Sequence, residues 1–362
     1  MVVAPGPRDR AEGRMSREAL RTRARAALLV ALVSAAYAGV RAWHEPRWPT
    51  DFDQLWHAAM AWRSGGEPYA AVGPGRAFRW DWSLYYPLPA VFLALPFTLV
   101  PVAVARVLFS ALSGAALGLA LGPRLRTHWP LLLSASFLIA TSRTQWAPLL
   151  LAVLWLPGLG VVLAAKPNLG IAILAALRGR ALVTAVLGAA AITLVCTVLR
   201  PDWISAWRSA IADAPHVVAP AAARGGFLLL LAGLRWRRAD ARLLLGLSLV
   251  PHTPSLYDLL PLFFLARTRV EALGLALLTH ILWWGFIAFS GGPTFDTYAA
   301  SLGNASILGV YLPCLAAVLL RPNIAEEVLP DAPAHGRREM LLLAPLLAGA
   351  AMLVYLPLVT RR

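Results

Sequence analysis

The feature that most constrains this 362-residue chain is a succession of thirteen apolar runs, which leave too little polar sequence for the surface of a soluble domain. Hydrophobic residues make up 59% of the chain and charged residues 14%, and the mean hydropathy is +0.65. Soluble domains carry about 25% charged residues. We therefore predict an all-α polytopic membrane bundle. The runs lie at about 26–40, 84–100, 103–122, 130–142, 146–165, 168–177, 181–199, 226–234, 243–251, 255–266, 270–289, 304–320 and 340–358.

Several of these runs are too short to cross a bilayer. A full crossing needs about 20 apolar residues, and the runs near 130, 168, 226, 243 and 255 have far fewer. Proline interrupts or bounds some of them, and broken backbone at membrane depth is tolerated only where it is buried or lines a cavity. We therefore expect about 11–13 transmembrane or half-spanning helices around a polar cavity.

Basic residues predict the orientation of the bundle. Seven arginines precede the first apolar run, which places the N-terminus in the cytoplasm. If every run crosses, the short basic segments 178–180, 235–242 and 267–269 share that side. The expected outer loops are 43–83, 200–225 and 290–303. The chain then divides into a cytoplasmic arm (1–25), a transmembrane bundle (26–320), a cytoplasmic loop (321–339) and a last transmembrane helix with the C-terminus (340–362), all in the plasma membrane.

The first outer loop carries two carboxylates just past the first apolar run. Asp51 and Asp53 precede residues 54–62, whose pattern is typical of an amphipathic helix, with His57 beside its apolar stripe. Either carboxylate can cap that helix by accepting free backbone N–H groups. Either can instead serve as a general base toward an acceptor hydroxyl. His57 is expected to support the site from behind or to be an alternative base.

Lys166 is the single lysine of the chain and stands at the outer end of one apolar run. Charges at this depth usually face a cavity or a partner. A phosphate ligand suits an ammonium group beside a helix N-terminus, whereas the plainer interpretation is that the side chain extends to the lipid head groups.

A second polar insertion, residues 251–258, also falls on the outer side. Asp258 among apolar neighbours needs a partner, which His252 or Tyr257 can supply, unless these residues contact substrate or form a hydrogen-bonded turn. Residues expected to line a substrate cavity are Tyr69, Tyr86, His252, Tyr257 and Asp258. Residues 200–208 resemble an amphipathic segment on the outer surface.

The remaining composition excludes several classes of function. Basic residues lie between apolar runs and not in one stripe, which argues against nucleic acid as a partner. The chain has no Walker-type loop, His-Glu-x-x-His, Cys-x-x-Cys or Gly-x-Ser-x-Gly motif. Cys196 and Cys314 lie in apolar runs and are predicted to be packing residues. No cofactor or metal-ligand cluster is predicted, although two carboxylates near a phosphate are compatible with a divalent cation.

The ordered set of polar motifs resembles glycosyltransferase family 87, a family of integral-membrane GT-C enzymes. The resemblance covers about residues 26–290. It departs from the commoner pattern at Leu88, which displaces a proline, and at Thr144, where a glycine often precedes the glutamine. The motifs are Asp51-Phe52 with Ala58-Ala59, Gly65-Gly66-Glu67-Pro68-Tyr69, Tyr86-Pro87-Leu88-Pro89, Gln145, Lys166-Pro167-Asn168, Pro201-Asp202-Trp203 and Pro254-Ser255-Leu256-Tyr257-Asp258.

The resemblance implies a GT-C-like fold and transfer of a hexose, typically mannose, from a polyprenyl-phosphate donor to a lipid or glycan acceptor on the outer membrane face. It implies that Asp51 is the catalytic base of a single inverting displacement, with Asp53 left as the helix cap. Lys166 or an outer arginine would stabilise the leaving phosphate. Gln145 falls on the inner side if the run before it crosses, and reaches the cavity if that run is a half-helix.

Two other classes of function fit the same pattern. Broken helices and polar groups at the membrane midplane also suit a lipid or glycan transporter or flippase, although the two related halves typical of transporters are not evident. A scaffold for a cell-wall assembly complex is the third interpretation, since every candidate residue has a structural explanation.

Overall fold

The computed structural model describes residues 17–45, 49–212, 214, 217–252, 256–289 and 302–325, and the chain is mostly helical. This agrees with the predicted all-α class. The predictions for residues 1–16, for most of the loop 290–303, for the loop after 325 and for the last helix at 340–362 lie outside the described residues. Four helices of the described part of the chain are long and apolar enough to cross a membrane. They are Arg17–His44, Val102–Leu133, Gly179–Leu199 and Leu302–Leu319.

The helices are numbered in chain order. They are α1 (Arg17–His44), α2 (Asp51–Arg63), α3 (Pro68–Ala71), α4 (Leu88–Ala94), α5 (Val102–Leu121), α6 (Leu125–His128), α7 (Ala135–Ser142), α8 (Ala147–Val153), α9 (Pro167–Ala176), α10 (Gly179–Leu199), α11 (Trp203–Ala210), α12 (Ala239–Leu249), α13 (Arg269–Phe289) and α14 (Leu302–Leu319). The 3-10 stretches are Leu95–Leu99, Gly122–Arg124, Trp129–Leu133, Pro157–Ala165, Pro220–Ala222, Gly226–Arg235 and Leu256–Leu265, and α14 includes a π-helical segment, Ile307–Tyr311.

Two short strands form the only sheet among the described residues. Strands β1 (Val72–Gly73) and β2 (Phe78–Arg79) pair in parallel, with Val72 opposite Phe78. They lie in the loop between α3 and α4 and fix the turn that carries the aromatic residues discussed below.

Helices α1 and α5 pack closely because small residues let their backbones approach. A Cβ atom added to Gly114 would overlap Ser34 and the carbonyl of Val30, and one added to Gly118 would overlap the backbone of Ala26. Two glycines four residues apart on one helix face are a known route to close helix contact in membranes. Helix α5 of this pair also contacts α2.

The short apolar runs are broken, as the sequence predicted, and they are shorter than full spans. The run at 130–142 folds as the stretch Trp129–Leu133 followed by α7, which has eight residues. The run at 146–165 divides into α8 and the stretch Pro157–Ala165. Neither forms one continuous helix of about 20 residues, the length that a straight crossing needs.

The predicted cytoplasmic basic segments contact one another at one end of the bundle. Arg178 donates to the carbonyl of Trp236 at 3.2 Å, and Arg235 donates to the carbonyl of Arg321 at 2.7 Å. Helices α9 and α12 run from this end to the opposite one, where Asn168 donates to the carbonyl of Pro251 at 3.1 Å. The segments 178–180 and 235–242 therefore lie together at one end of the bundle, and the side of the membrane that they face stays a prediction.

Candidate functional site

Helix α2 begins at Asp51 with Thr50 as its N-cap residue, and Asp53 occupies the third helical position. The Asp53 carboxylate accepts from the backbone N–H of Thr50 at 3.2 Å and from its hydroxyl at 3.1 Å. Arg106 of α5 binds both Asp53 oxygens, with its Nε at 2.8 Å from Oδ1. The predicted capping role of Asp53 is confirmed, and each of its oxygens is engaged in fixing α2 on α5.

Asp51 faces a different environment, although it lies only two residues away. Its Oδ2 accepts a hydrogen bond from the Gln145 side-chain amide and a longer one, at 3.5 Å, from the Tyr257 hydroxyl. Among the described residues no group donates to Oδ1. The Asp51 carboxylate is therefore held by one oxygen and open at the other.

Gln145 reaches Asp51 because the chain turns back sharply after α7. Thr144 takes a left-handed backbone conformation with φ of 56°, and the Gln145 N–H donates to the carbonyl of Ala140 at 2.7 Å. This turn ends α7 and brings residues 143–145 to the Asp51 end of the bundle. Gln145 therefore does not lie at the opposite end, where a full crossing of the run at 130–142 would have placed it.

Lys166, at the start of α9, forms a salt bridge with Asp258, which lies in the stretch Leu256–Leu265. The ammonium Nζ lies 2.6 Å from Asp258 Oδ1, the Asp258 side chain is fully buried, and 15% of the Lys166 side chain is exposed. Lys166 also lies over the Tyr257 ring, 4.9 Å from its centre. The partner that Asp258 requires is thus Lys166 and not His252 or Tyr257, and Lys166 does not extend freely to the head groups.

A cavity of about 730 Å³ connects these residues. Asp51, Lys166, Tyr257 and Tyr86 line it, as does Arg143, whose exposed guanidinium makes no hydrogen bond or salt bridge to any described residue. Aromatic side chains form much of the remaining wall, namely Trp80, Trp82, Tyr85, Trp207 and Trp283. The cavity combines the partly free Asp51 carboxylate, the cations Lys166 and Arg143, an Arg41–Glu45 ion pair and several aromatic faces.

Contacts behind the wall hold the aromatic side chains in place. Trp207 of α11 donates to the carbonyl of Tyr85 at 2.9 Å. His57 stacks on Phe78 with a ring distance of 4.0 Å, and Phe78 stacks on Trp80 at 5.9 Å. His57 therefore supports the wall through Phe78 and makes no hydrogen bond to Asp51 among the described contacts.

Three of the residues expected to line the cavity are not part of its wall. Tyr69 packs in the core beside α2, and Asp258 lies behind Lys166. His252 lies deeper, with Nδ1 2.9 Å from the carbonyl of Val250 and Nε2 3.1 Å from the Tyr311 hydroxyl. The structure places these three side chains outside the cavity lining, because Tyr69 packs on the core, Asp258 binds Lys166 and His252 bonds to Val250 and Tyr311.

Burial sets the protonation preferences at the site. Burial raises the pKa of Asp51 above its ordinary value, Asp258 adds to that rise, and Arg143, the Gln145 hydrogen bond and Lys166 oppose it. Burial also raises the pKa of Tyr86 well above its ordinary value and lowers the pKa of His57. A carboxylate with a raised pKa is a stronger base than an exposed one.

The predicted site residues did not include three that the structure places here, namely Gln145, Arg143 and Arg106. The charge pattern placed Arg143 and Gln145 at the opposite end because it treated the preceding run as a crossing. The available signal was the apolar run at 130–142, which is too short for a full crossing. Arg106 lies 53 residues from Asp53, and no local pattern predicts that pairing.

The described residues include no cluster of three or more His, Cys, Asp or Glu side chains able to hold a metal ion. Cys196 and Cys314 are both free and buried, in agreement with a packing role. No protein-family model, curated protein or solved structure matches the chain.

Proposed function

We propose that this protein is a membrane glycosyltransferase that moves a hexose from a polyprenyl-phosphate donor to a lipid or glycan hydroxyl. The observation that carries the proposal is the half-engaged Asp51 carboxylate in a cavity that also contains Lys166 and Arg143. A base and cations on one cavity wall match the two charges that develop in such a transfer.

Asp51 supplies the general base. Its Oδ1 takes the proton of the acceptor hydroxyl while the acceptor oxygen bonds to the anomeric carbon of the sugar. The bond from that carbon to the phosphate oxygen breaks in the same step, and the polyprenyl phosphate leaves with its electron pair. Attack opposite the leaving group inverts the anomeric configuration.

Lys166 and Arg143 have different capacities to bind the leaving phosphate. Lys166 already neutralises a fully buried Asp258, which costs several kcal/mol to leave unpaired. Arg143 is exposed to the cavity and offers a planar fork of N–H donors that suits a phosphate. Arg143 therefore binds the phosphate directly in this proposal, and Lys166 adds positive potential from the wall.

The aromatic wall suits the remaining parts of the substrates. Tryptophan and tyrosine present flat apolar faces with a polar edge, and they are common at the level of the lipid head groups. Trp80, Trp82 and Trp207 provide such faces at the cavity. They can cover a sugar ring or the first units of a polyprenyl chain.

Purified protein in nanodiscs should transfer a radiolabelled hexose from a synthetic polyprenyl-phosphate hexose to acceptor lipids extracted from the native membrane. The expected product has the anomeric configuration opposite to that of the donor. Movement of the labelled donor across the bilayer of proteoliposomes, with no new glycosidic bond, would support the transporter interpretation and contradict the proposal.

A further inference from the structure

We infer that Gln145 is a positioning residue, which fixes Oδ2 of Asp51 so that Oδ1 faces the acceptor hydroxyl. The inference rests on the proposed function, because it assigns the chemistry at Oδ1 to proton removal. It adds a residue whose contact with the base joins two parts of the chain 94 residues apart.

Both described donors to Asp51 use the same oxygen. The Gln145 amide and the Tyr257 hydroxyl each point to Oδ2, and the Tyr257 contact is the longer one, at 3.5 Å. An ionised carboxylate accepts hydrogen bonds at both oxygens. Engaging one oxygen therefore selects the other for the proton, and it also stops the carboxylate from rotating.

The buried position of the Gln145 side chain costs folding free energy. The side chain is only 2% exposed, and its Oε1 is buried with no hydrogen-bond partner among the described residues. A buried unsatisfied acceptor costs about 1–3 kcal/mol. Thr144, a β-branched residue, adds backbone strain at its φ of 56°. Packing alone would favour an apolar side chain here, and the bond with Asp51 is the one described contact that uses the amide.

Other ionisable groups surround Asp51, and a test must distinguish the effect of Gln145 on the pKa of Asp51 from theirs. Tyr86 faces it from the segment before α4, Arg143 from the end of α7, Lys166 from the start of α9, and Tyr257 and Asp258 from the stretch Leu256–Leu265. The amide is uncharged and favours the ionised carboxylate, so its removal raises the pKa of Asp51 further. Activity that needs ionised Asp51 is then lost at a higher pH during acidification.

The variant Gln145→Met keeps the length of the side chain and removes both the donor and the orphan acceptor. We expect kcat/KM for transfer to fall by about tenfold to a hundredfold, the range for losing a hydrogen bond to a charged group. We also expect the acidic limb of the pH profile of kcat/KM to move to higher pH. Gln54→Met is the matched control, because Gln54 lines the same cavity without a described bond to Asp51, and its acidic limb should stay in place.

A second readout does not depend on catalysis. Infrared difference spectra of wild type identify the Asp51 carboxyl band as the one lost in Asp51→Asn, and its pH titration gives the pKa directly. A higher midpoint in Gln145→Met than in wild type and Gln54→Met supports the inference even if no sugar transfer is found, in which case only the proposed function fails. Unchanged midpoint and acidic limb in Gln145→Met would overturn the inference, whatever the loss of activity.

Discussion

Two carboxylates at opposite ends of the bundle, the buried Asp240 and the half-buried Asp51, have contrasting surroundings. Asp240, at the basic end, accepts from Arg238 at 2.9 and 2.5 Å, from Arg321 at 2.9 Å and from the Ala241 N–H at 2.8 Å. Asp51, in the cavity, accepts only from two neutral side chains among the described residues. The first carboxylate is saturated by donors and the second is not.

This difference distinguishes a structural charge from the one that we propose to be reactive. Saturating a buried carboxylate with arginines compensates its desolvation and ties loops together, but leaves no oxygen for a proton. The Asp240 cluster joins α12, α13 and the segment after α14, since Arg321 also binds Glu271 at 2.7 Å. Asp51 keeps one oxygen open to a cavity, which is the arrangement that a general base requires.

The largest expected effect on stability comes from the saturated carboxylate. Asp240→Asn leaves Arg238, a fully buried guanidinium, without its counter-charge, so we expect a loss of about 3–5 kcal/mol in the free energy of unfolding. Unfolding in mixed micelles, followed by tryptophan fluorescence, measures it. Asp202→Asn, at an exposed carboxylate, should change the same free energy by less than about 0.5 kcal/mol. Equal effects of the two variants would refute a structural role for Asp240.

The Lys166–Asp258 pair tests whether the cavity also contains a structural charge. Lys166→Met leaves Asp258 buried and unpaired, and we expect the free energy of unfolding to fall by about 3 kcal/mol. The double variant Lys166→Met with Asp258→Asn removes both charges and should recover most of that loss. If the double variant is as unstable as Lys166→Met, pairing is not what Asp258 needs. Unfolding of wild type, Lys166→Met, Asp258→Asn and the double variant in mixed micelles provides the double-mutant cycle.

A smaller effect is expected at the turn that carries Gln145. Thr144→Gly removes the side chain that opposes a φ of 56°, so the free energy of unfolding should rise by about 1 kcal/mol. The matched variant Thr193→Gly, inside α10, should lower it by a similar amount because glycine weakens a helix interior. A decrease in both variants would show that the Thr144 turn is not strained.

Local sequence patterns predicted the helix, the cap and the buried charge of this site, but not the contacts between residues that are distant in the chain. The α2 helix, the cap by Asp53 and the need of Asp258 for a partner follow from periodicity, helix-end chemistry and the cost of a buried charge. The contact between Gln145 and Asp51 did not follow, because it depends on α7 ending after eight residues and turning back. Hydropathy gives the length of an apolar run but not whether its backbone stays helical throughout.

The most direct test of the account compares Asp51→Asn with Asp53→Asn in the sugar-transfer assay, with rates expressed per folded molecule. We predict that Asp51→Asn lowers the rate by about 10²–10⁴-fold and leaves the unfolding transition in place, as expected for loss of a general base. Asp53→Asn should lower stability, because it weakens the Arg106 contact, and retain the rate of the molecules that fold. Full activity in Asp51→Asn, together with an inactive but folded Asp53→Asn, would contradict the account.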